Sequence, residues 1–327
     1  MKEIEALAIA YHSNNAELSD IKHILDMIAE HNKKEASSSA LKMDQNIISR
    51  ATLFQSIAEG QITAKEFIVI FQVQDINKVH SDSILELTRG LHQNKITLED
   101  LRLFVDTVKD LSHTDQYVLS FSFTDKEFSL DTLIGITKKV SMEIKSYSKR
   151  PDYYYMGEVI KNLAKAVEQG RFNPEDTSEL LRLTRTSGAE KLSKGIADGD
   201  YTLDDIRKVF TIKGINKVEV DNVQNTIQRI PEDTISKIVV DMKSGKLSTE
   251  EVSTIIDYTK SPTLISGMIE EKYTLDTLKE LSRSTTLSLP ELDQLATAVQ
   301  AGIHADMFKL EEVTPLLPYM NNLLRPG

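Results

Sequence analysis

A short segment that ends one helix and begins the next recurs along this chain and constrains its fold more than any other feature. In one copy, Gly245 offers the missing Cβ that suits a left-handed residue just past a helix end. Ser248 then matches an N-cap, and Glu251 three residues later can complete a capping box. Leu247 before the cap and Val252 after it are placed to form a hydrophobic staple. The segment therefore predicts a helix stop, a turn and a helix start.

The same spacing occurs eight times. The predicted caps are Thr63, Thr97, Ser129, Asn173, Thr202, Ser248, Thr274 and Lys309. The predicted stops, three residues earlier, are Gly60, Asn94, Lys126, Gly170, Gly199, Gly245, Glu271 and Asp306. The residue before every cap is apolar or aromatic, and the residue four after the cap is apolar in seven copies. One copy would carry no weight, but eight with the same chemistry indicate a structural repeat.

The chain is rich in helix signals and poor in turn-forming residues. It contains 13 glycines and 8 prolines among 327 residues, about half the usual share, whereas many strands joined by tight turns would need more of both. Apolar residues recur instead at three- and four-residue spacing. Two such stripes are Met156, Val159, Ile160 and Leu163, and Val252, Ile255, Ile256 and Tyr258. We therefore predict an all-α fold.

We predict that this fold is a series of helical hairpins of about 35 residues each, stacked as an irregular α-solenoid. Seven intervals separate Thr63 from Lys309, with a mean close to 35 residues, which is room for two short helices and two turns. The architecture is similar in kind to tetratricopeptide and HEAT repeats, although the chain has no tryptophan for the tetratricopeptide pattern. The intervals run unevenly from 26 to 46 residues, so an irregular helical bundle is the alternative.

The sequence predicts two helical lobes behind a small N-terminal element. Residues 1–31 are interpreted as a helical pair, 32–46 as a linker, 47–148 as the first helical-repeat lobe and 149–327 as the second. The lobes divide where the helical pattern breaks before Pro151. The apolar runs are far shorter than the ~20 residues of a membrane span, and the acidic start does not resemble a secretory signal. We expect a protein that is cytoplasmic where it is made, with delivery into another cell left open.

Composition excludes several kinds of site. The chain has no cysteine, which rules out disulfides, thiolate zinc sites, iron–sulfur clusters and a cysteine nucleophile. Its net charge of −11 argues against general nucleic-acid binding, which needs cationic surface. No phosphate-binding glycine loop, GxSxG elbow or HExxH motif occurs, so we expect no cofactor. Ser112, His113 and Asp115 contain the residue types of a hydrolase triad, but their adjacency favours a helix cap.

The recurrent segment resembles the second half of an EF-hand calcium loop. Gly60, Thr63 and Glu66 occupy the positions of that half. Calcium also needs oxygen ligands in the first half, where the chain places Gln55 and Ile57 at the first and third positions. Capping chemistry explains the half that matches. We therefore predict no metal site.

Two basic stretches are the candidate partner-binding sites. The candidate residues are Lys149, Arg150, Tyr154, Lys161, Arg182 and Arg185. Tyrosine and arginine dominate protein–protein hot spots, and cations beside aromatic rings also hold phosphate groups and stack bases. In a helix that starts near residue 152, Tyr154 lies off the apolar stripe, so we expect it to be exposed and available to a partner.

The predicted architecture favours a non-catalytic protein-interaction scaffold, adaptor or inhibitor that grips a protein partner along a repeat-built groove. A cysteine-free chain of repeats also fits a bacterial effector or a regulator of one. Two alternatives are open. One is an enzyme with its site between the two lobes. The other binds nucleic acid or another phosphate-bearing ligand through residues 138–194, where 12 Lys and Arg accompany 8 Asp and Glu.

Overall fold

The computed structural model describes most of the chain and divides it into two compact units. The described residues are 8–12, 16–38, 50–146, 156–184, 188–215, 219–221, 226–228, 230–259, 261–285 and 287–317. The two units are Met1–Ser178 and Glu179–Gly327. The sequence places the boundary between the lobes about 30 residues earlier, at the break before Pro151.

Helices make up nearly all of the regular structure. Up to residue 168 they are α1 (Leu18–Ser38), α2 (Arg50–Ala58), α3 (Ala64–Phe71), α4 (Ser81–His92), α5 (Leu98–Val108), α6 (His113–Thr124), α7 (Leu130–Ser146) and α8 (Met156–Glu168). They continue as α9 (Thr177–Leu183), α10 (Glu190–Asp198), α11 (Leu203–Phe210), α12 (Glu232–Lys243), α13 (Thr249–Thr259), α14 (Pro262–Ile269), α15 (Leu275–Ser284), α16 (Leu289–His304) and α17 (Leu310–Val313). One antiparallel pair, β1 (Glu219–Asp221) and β2 (Thr226–Gln228), interrupts them. The helical prediction is confirmed, with this short hairpin as an addition.

All eight predicted helix stops have left-handed backbone. Their φ angles lie between 52° and 84°. In every copy the N–H of the stop residue donates to the carbonyl three residues earlier, and the next N–H donates to the carbonyl five residues earlier. This pair of backbone hydrogen bonds is the Schellman motif. Four stops, Asn94, Lys126, Glu271 and Asp306, are not glycine, so the motif persists where a side chain makes left-handed backbone costly.

The predicted caps each precede a helix or a 3-10 turn. Capping boxes close at Thr63, Thr97, Thr202 and Ser248. At Ser248, the backbone N–H donates to Glu251 over 2.7 Å, and the Glu251 N–H donates to the serine hydroxyl over 3.2 Å. Each box satisfies two N–H groups that the first helical turn leaves unpaired. The sequence interpretation of the eight segments is therefore confirmed at the level of local structure.

Two caps take their acceptor from a neighbouring helix, because the third helical residue is threonine instead of an acid. The Glu168 carboxylate on α8 accepts from the Ser129 N–H over 2.9 Å and from the Thr132 hydroxyl over 2.7 Å. These donors hold the pKa of Glu168 below its ordinary value. Similarly, the Gln300 carbonyl on α16 accepts from the Thr274 N–H over 3.3 Å. A cap thus joins one hairpin to the next.

Three glycines lie under the aromatic ring that precedes a cap. The pairs, six residues apart, are Gly195 with Tyr201, Gly267 with Tyr273, and Gly302 with Phe308. A Cβ on Gly195 would lie only 2.1 Å from Cζ of Tyr201. The Tyr201 ring lies over the glycine, and its hydroxyl donates to the Lys191 carbonyl over 3.2 Å. The same hydroxyl lies 3.0 Å from Oγ of Ser236 on α12. Burial raises the pKa of Tyr201 to about 12, so the phenol stays protonated.

Helices of the same parity pack on one another within each unit. In the first unit α4 contacts α6 and α6 contacts α8, while α5 contacts α7. In the second unit α10 contacts α12, α12 contacts α14, and α14 contacts α16. Odd-numbered helices also pack on the even-numbered helix that follows them, as α7 does on α8 and α15 on α16. Each hairpin therefore contributes its first helix to one layer.

A buried carboxylate joins α6 to α8. Asp115 accepts from the Gly157 N–H over 2.6 Å and from the Ser112 hydroxyl over 2.7 Å. Gly157 permits this approach, since a Cβ there would lie 2.7 Å from Cα of Asp115. Ser112 is the N-cap of α6, as the sequence indicates. Burial raises the pKa of Asp115 above its ordinary value, against the effect of its hydrogen bonds.

Two details differ from the sequence interpretation. Helix α1 continues to Ser38, so the first part of the predicted linker 32–46 is helical, and residues 39–46 lie outside the described residues. In the second apolar stripe, Val252, Ile255 and Ile256 are buried, but Tyr258 is 38% exposed. Tyr258 lies two residues after Ile256, which places it about 200° further around the helix and away from the buried face.

We predict that Gly195→Ala destabilises the protein because its Cβ would overlap the Tyr201 ring. Overpacking of this kind costs about 1–3 kcal/mol. The matched control is Gly135→Ala in α7, where a Cβ would meet nothing within 4 Å. That change should raise the free energy of unfolding by ~0.5–1 kcal/mol, because alanine is more favourable than glycine in a helix interior. Urea denaturation followed by circular dichroism measures both; equal shifts would contradict the proposed contact.

We predict that Asp115→Asn removes a contribution to the free energy of unfolding that decreases as the pH rises. A raised carboxyl pKa means that folding is favoured while Asp115 is protonated, so its contribution is greatest below 3.8, the ordinary value, and is lost as the pH rises through the folded pKa. Asparagine retains the acceptor for Gly157 but does not titrate. Relative to the variant, the wild type should therefore lose stability as the pH rises. Urea midpoints between pH 3 and 7 test this; parallel curves would refute it.

Candidate functional site

The structure describes two of the six predicted partner-binding residues, and both lie beside carboxylates. Lys161 on α8 forms an ion pair of 2.5 Å with Glu158 in the same helix. Arg182 on α9 is exposed, and its charge helps lower the pKa of Glu179, after the larger effect of the Arg207 hydrogen bond. Four candidates lie outside the described residues: Lys149, Arg150, Tyr154 and Arg185. The predicted exposure and partner contact of Tyr154 therefore remain predictions.

Lys191 and Lys194, which follow the candidates Arg182 and Arg185 along the chain, lie in a depression of mixed charge. Lys191 pairs with Asp233 over 2.8 Å, and Lys194 pairs with Asp198 over 2.5 Å. The depression has a volume of about 380 Å³, and its charged lining consists of Lys191, Lys194, Asp198, Asp200, Asp233, Lys237 and Asp241. Three lysines thus face four aspartates. Paired cations of this kind offer little free charge to a phosphate group.

A larger groove lies between α5 and α7, the second helices of two consecutive hairpins. Its volume is about 470 Å³, and its apolar walls include Leu103, Leu111, Ile134 and Met142. Leu103 is 43% exposed and Met142 71% exposed. Scattered exposed apolar side chains are normal, but apolar residues that converge on one concavity indicate a binding site.

A buried hydroxyl without a hydrogen-bond partner lies in the wall of this groove. Thr137 on α7 is only 2% exposed, and its Oγ1 has no hydrogen-bond partner among the residues that the structure describes. A buried polar group left unpaired costs about 1–3 kcal/mol. A threonine hydroxyl can both donate and accept, and since this one is also closed to solvent, the wall of the groove contains an unsatisfied polar atom.

The rim of the groove carries a small excess of negative charge. Asp106 forms an ion pair of 2.6 Å with Lys109, which also reaches Asp75 over 3.0 Å. Asp110 and Lys138 are exposed and form no ion pair with other described residues. The hydrogen bonds to Asp106 and Asp75 raise the pKa of Lys109, and those from Lys78 and Lys109 lower the pKa of Asp75, so both groups stay charged near neutral pH. Asp110 is the carboxylate left available to a ligand.

The groove residues carry no signal in the sequence, because each looks ordinary in its own helix. Leu103, Thr107, Ile134 and Thr137 form no recognisable motif and belong to two hairpins. These residues can be found only by comparing the eight copies of the repeated segment with one another. Aligning the eight copies on their caps shows which residue types occupy each position of the second helices, and the positions that face a neighbouring helix can then be compared between copies.

Comparison with protein-family models, with curated proteins and with solved structures finds no match for this chain. The described residues define the class of this protein, which is almost entirely α-helical with one short β-hairpin. Among the described residues, no helix is both long and apolar enough to span a bilayer, and no three His, Asp or Glu side chains are grouped to hold a metal ion.

We predict that Thr137→Val stabilises the free protein by about 1 kcal/mol, because valine keeps the shape and removes an unpaired buried hydroxyl. The matched control is Thr88→Val in α4. Thr88 is fully buried, and its hydroxyl donates to the Ile84 carbonyl over 2.7 Å, so that variant should gain nothing. Thermal or urea denaturation compares the two. A loss of stability in Thr137→Val would show that the hydroxyl has a partner.

Proposed function

We propose that this protein is a non-catalytic interaction scaffold, adaptor or inhibitor that holds a protein partner along a groove built by its helical hairpins. The observation that carries the proposal is the groove between α5 and α7, where apolar walls meet the exposed side chains of Asp110 and Lys138. Protein interfaces combine an apolar centre with a few directional polar groups. The groove has both features, and its volume lies within the roughly 300–1,000 Å³ of ligand pockets.

We also propose that the hairpins of each unit stack as an α-solenoid. Two observations support this arrangement over an irregular bundle. The first helices of consecutive hairpins contact one another in order, from α4 to α8 and from α10 to α16. The stop, turn and cap also have the same backbone path in all eight copies. In a solenoid each unit contacts its neighbours and the array presents extended surfaces to other macromolecules.

A binding comparison between two exposed methionines tests the function. Met142→Ser changes the groove, whereas Met307→Ser changes a methionine that is 75% exposed in the other unit. A partner captured by the tagged wild type from its native setting and then purified should bind Met307→Ser with unchanged affinity. It should bind Met142→Ser about tenfold more weakly if the methionine is an anchor, since anchors contribute more than 1 kcal/mol.

The result that contradicts the proposal is equally direct. Both variants should show the wild-type circular dichroism and melting temperature, because both side chains are exposed. If no protein is retained by the wild type, or if the purified partner binds all three proteins with equal affinity, the groove does not perform this function. Fluorescence anisotropy or calorimetry provides the affinities.

A further inference from the structure

The two walls of the groove cover the same span after their caps. On the side of α5 the lining residues lie within 103–111, which is six to 14 residues after Thr97. On α7 they lie within 134–142, which is five to 13 residues after Ser129. At the rise of an α-helix each wall is about 12 Å long, or a little over two turns. The groove is therefore elongated along its helices.

The hairpin itself does not require an exposed apolar residue in this wall. Leu103 lies six residues after its cap and is 43% exposed. In the second unit the same position holds Lys208, Thr254 and Glu280, on α11, α13 and α15. Those copies form the same left-handed stop, so the fold accepts polar residues there. Because Leu103 shares one concavity with the exposed Met142, the pair indicates a surface that another molecule covers.

The walls offer almost nothing to the backbone of an occupant. Their N–H groups within 103–108 and 134–142 donate inside α5 and α7. The Thr107 hydroxyl donates to the Leu103 carbonyl over 2.7 Å, and the Thr137 hydroxyl is closed to solvent. An extended peptide binds best along a sheet edge that pairs with its main chain, and unpaired peptide groups beside apolar walls are costly. An α-helix satisfies its own backbone, so these walls favour a helical occupant.

The charges around the groove favour a cation on that helix. The charged groups that line it are the acids Asp106 and Asp110 and the base Lys138. Asp106 already pairs with Lys109 over 2.6 Å. Asp110 is exposed, and no residue that the structure describes forms an ion pair with it. The net charge of −11 also attracts cationic partners at long range. Asp110 is therefore the group that a lysine or arginine of the occupant would meet.

We propose that the groove between α5 and α7 receives an amphipathic helix of a protein partner, with apolar residues spaced i, i+4 and i+7 between the walls and a lysine or arginine beside Asp110. This inference rests on the proposed function and specifies the chemistry of the partner. Residues at that spacing share one face of a helix and span about 10 Å. The apolar face thus matches the length of the groove, and the cation matches its unpaired carboxylate.

Three alanine-based peptides of about 18 residues test the proposed occupant. The basic peptide carries leucines at i, i+4 and i+7 with lysines beside them. The acidic peptide has glutamate in place of each lysine. The proline peptide is the basic one with a central alanine replaced by proline, which breaks the helix. In fluorescence anisotropy with the full chain, the basic peptide should bind at least about tenfold more tightly than the proline peptide, and more tightly than the acidic one.

Methyl NMR shows where the basic peptide binds. With labelled isoleucine and methionine, the spectrum of the full chain reports Ile134 and Met142 in the groove and Met307 outside it. The basic peptide should shift the signals of Ile134 and Met142 and leave that of Met307 in place. Shifts confined to signals outside the groove would overturn the inference.

Two aspartate variants test the proposed ion pair. Asp110→Asn should bind the basic peptide about two- to fivefold more weakly than the wild type, the usual effect of an exposed pair. Asp257→Asn, at an exposed position of α13 in the second unit, removes the same charge from the whole protein and should leave the affinity unchanged. Equal effects of the two variants, equal binding of the basic and proline peptides, or no binding of the basic peptide would overturn the inference.

The partner experiment separates failure of this inference from failure of the function. If Met142→Ser weakens binding of the purified partner, but proline within the partner's mapped binding segment does not, the helix is wrong and the interaction function stands. If the peptides behave as expected but no partner is retained, the proposed function fails. Sedimentation velocity tests a second copy as the occupant: a wild-type dimer that Met142→Ser converts to a monomer would overturn the proposal of a separate partner.

Discussion

The left-handed stop between paired helices is the constraint on which the rest of this structure depends. Its two hydrogen bonds turn the chain out of the helix in the same way in all eight copies. In three copies the aromatic ring before the cap then lies over a glycine of the helix that has just ended, as Tyr201 does over Gly195. In two of these copies the ring is a tyrosine whose hydroxyl reaches the next hairpin. The Tyr201 hydroxyl lies against Oγ of Ser236, and the Tyr273 hydroxyl donates to Asp293 over 2.6 Å.

These ties join the turn of one hairpin to the first helix of the next. The first helices are held by buried contacts such as that of Asp115 with the Gly157 N–H. On the other layer, Thr137 of α7 has no hydrogen-bond partner among the described residues, whereas Ser282, at the same distance after the cap of α15, meets Tyr258.

The electrostatic features show why charge runs in the sequence were weak guides to a site. Lys161, Lys191 and Lys194 each form an ion pair with a carboxylate of their own or an adjoining helix. A helix surface brings residues three or four apart together, and stacking adds partners from the neighbouring hairpin. Lys161, a predicted partner-binding residue, therefore uses much of its charge within the fold, as do the neighbouring Lys191 and Lys194.

The sequence by itself determined the helices, their stops and their caps. Thr63, Ser248 and the other caps act through hydrogen bonds that span at most a few residues, and such local chemistry can be read from spacing. The spacing also predicts helix stops at Lys126 and Glu271, and the structure shows that both have left-handed backbone although neither is glycine.

Only the tertiary structure decided the groove. Thr107 and Thr137 lie 30 positions apart on helices that meet because their hairpins stack. Whether a hydroxyl finds a partner depends on the neighbouring helix, so Ser282 is paired and Thr137 is not, although both occupy the same place after a cap. Spacing along one helix records that helix's own turns and faces. The contents of the space between two helices depend on both, and the sequence determines them only through the packing that brings the helices together.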